Sequence, residues 1–191
     1  RGELVQALDE ASLREQLQAQ FGAGLRSVAI VFMHGYRYAQ HEQAAARIAN
    51  EVGFTQVSTS HQTSPLMKFV SRGDTTVVDA YLSPILRRYV DQVAAELPGA
   101  RLMFMQSNGG LTDAGRFQGK DSILSGPAGG IVGMVRIATA AGFDRIIGFD
   151  MGGTSTDVSH YAGELEREFD TQVAGVRMRA PMMSIHTIAA G

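Results

Sequence analysis

The run Asp150-Met151-Gly152-Gly153-Thr154-Ser155-Thr156-Asp157, delivered by the apolar stretch Arg145-Ile146-Ile147-Gly148-Phe149, constrains this chain more than any other segment. An apolar strand that stops at an aspartate and two glycines, then resumes at Thr156 and continues to Tyr161, predicts a β-hairpin. The composition of the turn narrows its purpose. Gly152 and Gly153 permit backbone angles closed to other residues and keep side chains out of the turn. Successive N–H groups there can converge on phosphate oxygens, and Thr154, Ser155 and Thr156 add hydroxyl groups. Asp150 and Asp157 are hard oxygen ligands, suited to Mg²⁺ held partly through water beside a polyphosphate. The competing reading is an ordinary Gly-Gly hairpin with a solvated Asp157. Two carboxylates bracketing Gly-Gly-Thr-Ser-Thr behind a buried strand favour phosphate. No Gly-Lys-Ser/Thr follows, which excludes a Walker-type loop.

Upstream, strands and helices alternate. Residues 10–21 predict a short helix with Leu13 and Leu17 on one face, and 27–33 predict a strand buried on both sides. Residues 40–52 carry Ala44, Ala45, Ile48 and Val52 at helical spacing, with Gly53 as the stop. A second strand is expected at 56–60. A long helix is expected at about 75–97, with Val78, Leu82, Leu86, Val90 and Val93 along one side and Tyr81 and Tyr89 on its packing face. Pro84 is expected to kink that helix or reset its start. Another buried strand is expected at 101–106 and a small-residue helix at 128–141. Further strands are expected near 171–176 and 184–188. The alternation predicts an α/β domain with a largely parallel sheet up to about residue 142. The change to consecutive strands near Gly142 predicts a domain boundary there.

Two other segments place chemistry at element ends. In Ser125-Gly126-Pro127-Ala128-Gly129-Gly130, Ser125 can cap the coming helix and Pro127 suits its first turn. Gly129, Gly130 and Gly133 would let a backbone, a helix or an anion come close; a tightly packed structural helix accounts for the composition equally well. Gln106-Ser107-Asn108-Gly109-Gly110 sits at the carboxyl end of a strand, where ligands bind in α/β sheets. A plain turn with Asn108 at an unusual dihedral explains it too.

The histidines give little. His34 and His186 flank or occupy apolar strands as core or loop residues do. His41, His61 and His160 lack an acidic or histidine neighbour at metal-ligand spacing. Absence of Gly-x-Ser-x-Gly argues against a serine hydrolase. Met103, Met105, Met182 and Met183 are expected to fill core. There are no cysteines, so disulfides, thiolate metal sites and a cysteine nucleophile are excluded. A net charge of -2 without a basic run speaks against nucleic acid. No apolar run approaches the ~20 residues that cross a bilayer, so no membrane partner is expected, and the lack of cysteine fits the cytoplasm. Both ends read as cuts in a longer polypeptide.

The combination Met105-Gln106-Ser107-Asn108-Gly109-Gly110-Leu111, Ser125-Gly126-Pro127-Ala128-Gly129-Gly130 and Asp150 through Val158 resembles the hydantoinase A/5-oxoprolinase family. Supporting pieces are His41-Glu42, Ser64-Pro65, the run from Thr75 to Leu82, and the closing run from Pro181 to Gly191. The resemblance implies an actin-like ATPase (ribonuclease H-like) α/β fold. Residues 1–142 would finish the first actin-like domain and 143–191 would open the second, Asp150–Asp157 being the second of two phosphate hairpins. It implies ATP-dependent opening of a cyclic amide or imide such as 5-oxoproline or a hydantoin. Gly152, Gly153, Thr154, Ser155 and Thr156 would cradle phosphate, with Ser125, Gly126, Gly129, Asn108 and Gly109 as further cofactor contacts. Asp150 and Asp157 would hold Mg²⁺ or position water; K⁺ is a further candidate ion. A hydantoinase B-type subunit or domain is the implied partner, and oligomers are compatible. With half the site upstream and downstream of these residues, the isolated chain is expected to bind nucleotide weakly. Two alternatives stay open: a sugar or acyl kinase of the same superfamily, and a non-catalytic module that changes shape on binding nucleotide.

Overall fold

The structure, a computed structural model, describes residues 2–173 and 175–189. The chain divides into two compact units: residues 1–95, 118–120 and 172–179 form one, and residues 96–117, 121–171 and 180–191 the other.

The first unit begins with α1 (Glu10–Gly22), which Asp9 caps by accepting the Ser12 N–H. β1 (Ser27–Ile30), α2 (Gln40–Val52) and β2 (Gln56–Thr59) follow, and β1 pairs with β2 in parallel. The helix between the strands is what a parallel pair requires. Gly53 ends α2 in the left-handed region, at φ 113°, where a Cβ would be penalised. Ile30, Ala45, Ala49 and Phe54 form the centre of this core, with Leu13, Leu17 and Phe21 of α1 packed on them. The short helix α3 (Ser60–Thr63) leads to α4 (Phe69–Glu96).

Helix α4 departs from expectation in three ways. It starts six residues earlier than expected, and it runs unbroken through Pro84. Proline removes the N–H that would bond the carbonyl four residues back, here Ala80; the Ser27 hydroxyl of β1 donates to that oxygen instead, at 2.7 Å. Its buried face is mostly polar: Thr75, Thr76, Asp79 and Ser83 are buried, while Tyr81 and Tyr89 are 71% and 57% exposed. Hydrogen bonds explain the inversion. Asp79 accepts from the Ser58 and Ser83 hydroxyls and from the Lys120 N–H.

The second unit opens with an antiparallel pair, β3 (Met103–Met105) and β4 (Leu111–Asp113). The expected parallel continuation of the sheet is therefore not formed; the 106–110 turn folds the strand back on itself. Next come α5 (Ser125–Ala140), β5 (Ile146–Met151) and β6 (Thr156–Tyr161). β7 (Arg167–Val173) pairs with β8 (Val176–Met183), and β9 (His186–Ile188) joins β6 antiparallel, so the three-stranded sheet has the order β5-β6-β9. Ala128 and Ile131 of α5 pack on Met183, with Met105 and Ile185 beside them. Met182 and Met183 are core, as expected, whereas Met103 is 39% exposed. Ala190 and Gly191, the end of the resembling run, lie outside the described residues.

Candidate functional site

β5 and β6 pair in a register that sets Asp150 opposite Asp157 and Met151 opposite Thr156. Directly opposed residues project from one face with Cβ atoms about 5 Å apart. Two carboxylates thus share the end of the hairpin, a placement that costs about 0.2–1 kcal/mol through like-charge repulsion unless a cation relieves it. Asp157 is half-buried and accepts from the Thr187 hydroxyl at 2.7 Å; Asp150 is exposed.

Residues 152–155 close the turn, and the Gly152 N–H donates to the Ser155 carbonyl at 2.9 Å. That donor is used inside the turn. Among the described residues, the N–H groups of Gly153, Thr154 and Ser155 have no acceptor and remain available to an anion. Neither Gly152 nor Gly153 adopts a left-handed φ, so the expectation that both are needed for their backbone angles is not met. Space is the better explanation: a Cβ on Gly153 would meet nothing within 4 Å, and one on Gly152 only the Ser155 carbonyl oxygen at 3.5 Å. The approach to the free N–H groups is open. Thr154 is exposed, Ser155 half-buried, and Thr156 buried at 2% exposure.

Helix α5 comes close beside this hairpin. Ser125 is its first residue and caps nothing; Leu124 is the N-cap and makes no side-chain bond. The first helical bond runs from the Ala128 N–H to the Leu124 carbonyl, so the helix begins earlier than the Gly126-Pro127 pair suggests. Pro127 falls in the first turn, where a missing N–H is harmless. A Cβ on Gly130 would lie 3.8 Å from Asp150 Oδ2 and one on Gly129 3.7 Å from Met105, while Gly126 and Gly133 have nothing within 4 Å. A Cβ on Gly148 would overlap Met134 and Ser159, so this glycine lets α5 approach β5. Between them lies a cleft of about 240 Å³, lined by Pro127, Gly130, Ile131 and Met134 on one side and Asp150, Asp157 and Ser159 on the other. Small-molecule pockets run to about 300–1,000 Å³, so the cleft has room for part of a ligand, such as a phosphate with its metal ion. Gly148, Met134 and Ser159 escaped the sequence reading, because no motif marks residues defined by packing across a helix and a strand.

The 106–110 turn is held by its own bonds. Asn108 Oδ1 accepts the Gly110 N–H, the Ser107 hydroxyl donates to the Asp121 carbonyl, and the Arg167 guanidinium donates to the Asn108 carbonyl. Gly109, not Asn108, takes the left-handed φ, at 81°. Asn108 and Gly109 are not among the residues that line the cleft.

The first unit holds a polar cluster of another kind. Glu42, fully buried on α2, accepts the Phe32 N–H and the Ser60 hydroxyl on Oε1, and the His61 N–H and His61 Nδ1 on Oε2. Burial alone would raise this carboxyl; the bonds from Ser60, Phe32 and His61 outweigh it and hold the group below its ordinary range. A Cβ on Gly35 would overlap the carboxylate. Arg72, also fully buried, donates to Ser60 Oγ and to the carbonyls of Phe32, Met33, Leu66 and Met67. Two histidines do have acidic partners, at spacings other than those of metal ligands: His61 pairs with Glu42, 19 residues away, and His160 with Glu166 at 2.8 Å. Chain spacing cannot register such pairs. Among the described residues, no group of three or more His, Cys, Asp or Glu is placed to hold a metal ion by itself.

Comparison with known proteins settles the relationship. The family model described as hydantoinase/oxoprolinase matches residues 72–191, and the model for the N-terminal region of that family matches residues 1–53. The chain belongs to the hydantoinase/oxoprolinase family. Over its full length it is 45% identical to a 5-oxoprolinase of Saccharomyces cerevisiae, of which it spans 15%. It is 33% identical to the caprolactamase alpha subunit of Pseudomonas jessenii over 96% of its length, covering 28% of that subunit. The crystal structure of the ATP-dependent caprolactamase from that organism superposes on all of this chain with a TM-score of 0.87 at 30% identity, 29% of that chain being covered. A nucleotide-free acetone carboxylase structure matches at a TM-score of 0.84 and 24% identity, covering 98% of this chain and 28% of its own, and supports the fold alone. The α/β fold expectation stands, consistent with the actin-like ATPase type. The hydantoinase/oxoprolinase chain described here is thus a small part of the length of its relatives. No helix among the described residues is long and apolar enough to cross a membrane.

Proposed function

We propose that the protein to which this chain belongs uses ATP to open a cyclic amide or imide, and that the Asp150–Asp157 hairpin with α5 is part of its phosphate site. The observation that carries this reading is the pairing of the two aspartates at the mouth of a turn in which the Gly153, Thr154 and Ser155 N–H groups have no acceptor among the described residues. An amide carbonyl is a poor electrophile. Transfer of phosphate from ATP to its oxygen makes the ring carbon a better electrophile: water adds there, the ring C–N bond breaks as the nitrogen takes up a proton, and the acyl phosphate left behind is hydrolysed by a second water. Phosphoryl transfer asks a protein chiefly for positioning and charge neutralisation. In this reading the N–H groups of Gly153, Thr154 and Ser155 hold anionic oxygens, and the Thr154 hydroxyl adds a donor. Asp150 and Asp157 fit Mg²⁺, which is commonly held by one or two carboxylates plus substrate phosphates; when bound, it would neutralise developing charge on the phosphates. Gly130 keeps a side chain out of the space beside Asp150.

The domain assignment belongs to the same proposal: residues 1–142 complete one actin-like domain and residues 143–191 open the next. So do a hydantoinase B-type partner, which the name of the caprolactamase alpha subunit brings to mind, K⁺ as an accessory ion, and a cytoplasmic location.

The deciding measurement is phosphate release by the full-length enzyme with 5-oxoproline, a hydantoin or caprolactam, set against a panel of sugars. Stimulation by a cyclic amide and not by sugars is expected, with loss of that stimulation in Asp150→Asn. Sugar-dependent turnover, or an Asp150→Asn enzyme with full amide-dependent turnover, would remove the reading.

A further inference from the structure

The face of the β5–β6 hairpin that carries Asp150 and Asp157 carries one more polar group. Two residues further from the turn, on the same side of the sheet, Gly148 pairs with Ser159, and both line the cleft against α5. Ser159 is 7% exposed, yet its hydroxyl makes no hydrogen bond among the described residues. The oxygen is not sealed from solvent, and the open space beside it is the cleft. Its neighbours leave it unpaired. Pro127, Gly130, Ile131 and Met134 of α5, with Ile185, offer no strong donor or acceptor in their side chains, and the hydroxyl bonds neither aspartate.

The sequence makes room for this hydroxyl. A Cβ on Gly148 would lie 2.5 Å from Ser159 Oγ and 2.4 Å from Met134 Sδ, so a side chain there would displace both. Alanine at 159 would fill the same place in the strand without an unpaired polar group, and an unpaired buried hydroxyl weakens a fold. Packing therefore does not account for the serine, whereas a ligand in the cleft does. Position says which part of that ligand it meets. Along this face the turn N–H groups come first, then the two carboxylates, then Ser159, so the carboxylates stand between the hydroxyl and an anion held at the turn. Neighbours on one face of a strand are about 6.8 Å apart, while opposed ligands of Mg²⁺ are separated by only about 4.2 Å. A water bound to the metal spans the difference, and Mg²⁺ keeps several of its waters. A serine hydroxyl has lone pairs to accept from one. Asp157 Oδ1 is engaged by the Thr187 hydroxyl, which leaves Oδ2 for the ion.

We propose that Ser159 is a positioning residue of the metal site: its hydroxyl accepts a hydrogen bond from a water of the hydrated Mg²⁺ that Asp150 and Asp157 hold beside the nucleotide phosphates. This rests on the phosphate site proposed above. Outer partners of this kind orient the inner shell, and removing one lowers metal affinity by about 10–100-fold. Loss of the hydroxyl should therefore weaken nucleotide binding in the presence of Mg²⁺ and leave metal-free binding as it was.

Two experiments on the full-length enzyme test this. In the first, calorimetry measures the affinity for ADP with Mg²⁺ and with a chelator in its place. The wild type is expected to bind ADP more tightly with Mg²⁺. Ser159→Ala should shrink that ratio by about tenfold or more, with metal-free affinity within about twofold of wild type. Ser159→Thr, which keeps the hydroxyl, should retain most of the ratio. A merely structural role would weaken ADP binding with and without the metal alike and leave the ratio intact, and that result overturns the proposal. The second uses wild-type protein only, so it stands even where a variant does not fold. A crystal structure of the full-length enzyme with ADP and Mg²⁺ should place Ser159 Oγ within hydrogen-bond distance of a metal-bound water. An Oγ that bonds a phosphate oxygen instead, or no metal-bound water, overturns the proposal. Bound Mg²⁺ lying away from Asp150 and Asp157, or ADP affinity indifferent to Mg²⁺ in the wild type, removes the phosphate-site reading and this inference together. Mg²⁺ seated on the two aspartates with an unchanged ratio in Ser159→Ala removes this inference alone.

Discussion

Glu42 in the first unit and Asp150 in the second both lie against a glycine, yet they are treated in opposite ways. Every acceptor position of the Glu42 carboxylate is occupied and the residue is fully buried; the Asp150 carboxylate accepts no hydrogen bond among the described residues and faces a second carboxylate across the hairpin. A buried charge is tolerated only when its bonds replace the lost water, so Glu42 and its neighbours behave as scaffold. A like-charge pair across a hairpin gains nothing for the fold. What keeps such a pair in place has to be sought in a ligand. The contrast predicts that substitutions at Glu42 act on stability and substitutions at Asp150 on turnover.

The largest effect expected is from Glu42→Ala. It leaves two half-buried N–H groups without acceptors and undoes a charged network, which costs about 3–5 kcal/mol, seen as a lower midpoint in denaturant unfolding. A neutral effect would break the comparison at its first term. Next, Asp150→Asn in the full-length enzyme should lower amide-dependent turnover by about 10²–10³-fold while its thermal midpoint holds or rises slightly. A clear loss of stability there would make Asp150 scaffold as well. Gly35→Ala comes third, at about 1–3 kcal/mol, because the new methyl group displaces the Glu42 carboxylate.

Acid sharpens the same contrast. Glu42 is held below its ordinary value of 4.5 in the fold. A depressed carboxyl contributes stability that is present above its unfolded-state value and is lost as pH falls through the folded-state value. The stability of the first unit should therefore be level from neutral pH down to the ordinary carboxylate range and decline below it. A Glu42→Gln protein should lack that part of the decline in acid titrations followed by circular dichroism. The smallest effect is expected at Tyr81→Ser. That side chain is 71% exposed, so the unfolding midpoint should move by no more than about 0.5 kcal/mol.

The hairpin was legible because strand period, glycine and carboxylate all fall within ten consecutive residues, and pairing across a short turn follows from chain order. Helix α4 was legible as a helix but not in its orientation. Its buried face is carried by Thr75, Thr76, Asp79 and Ser83, which a hydrophobic pattern assigns to solvent; the Thr75 and Thr76 hydroxyls donate to the Ser71 and Arg72 carbonyls of the same helix, and Asp79 and Ser83 find partners in β2 and residues 119–120, far along the chain. Ser125 was misassigned as a cap because a serine before Gly-Pro suits that role equally well. His61 was passed over since its partner is one helix away rather than one turn away. Local chemistry can be read from spacing; pairings made by tertiary packing cannot.

The hydroxyl of Ser27 stands in for the N–H that Pro84 lacks. These two positions are consequently bound together in descent. A lineage that loses the serine while keeping the proline strands a carbonyl, whereas one that first replaces the proline frees the serine to drift. Across relatives the pair should turn over in that order, and an Ala at position 27 beside Pro84 should be rare.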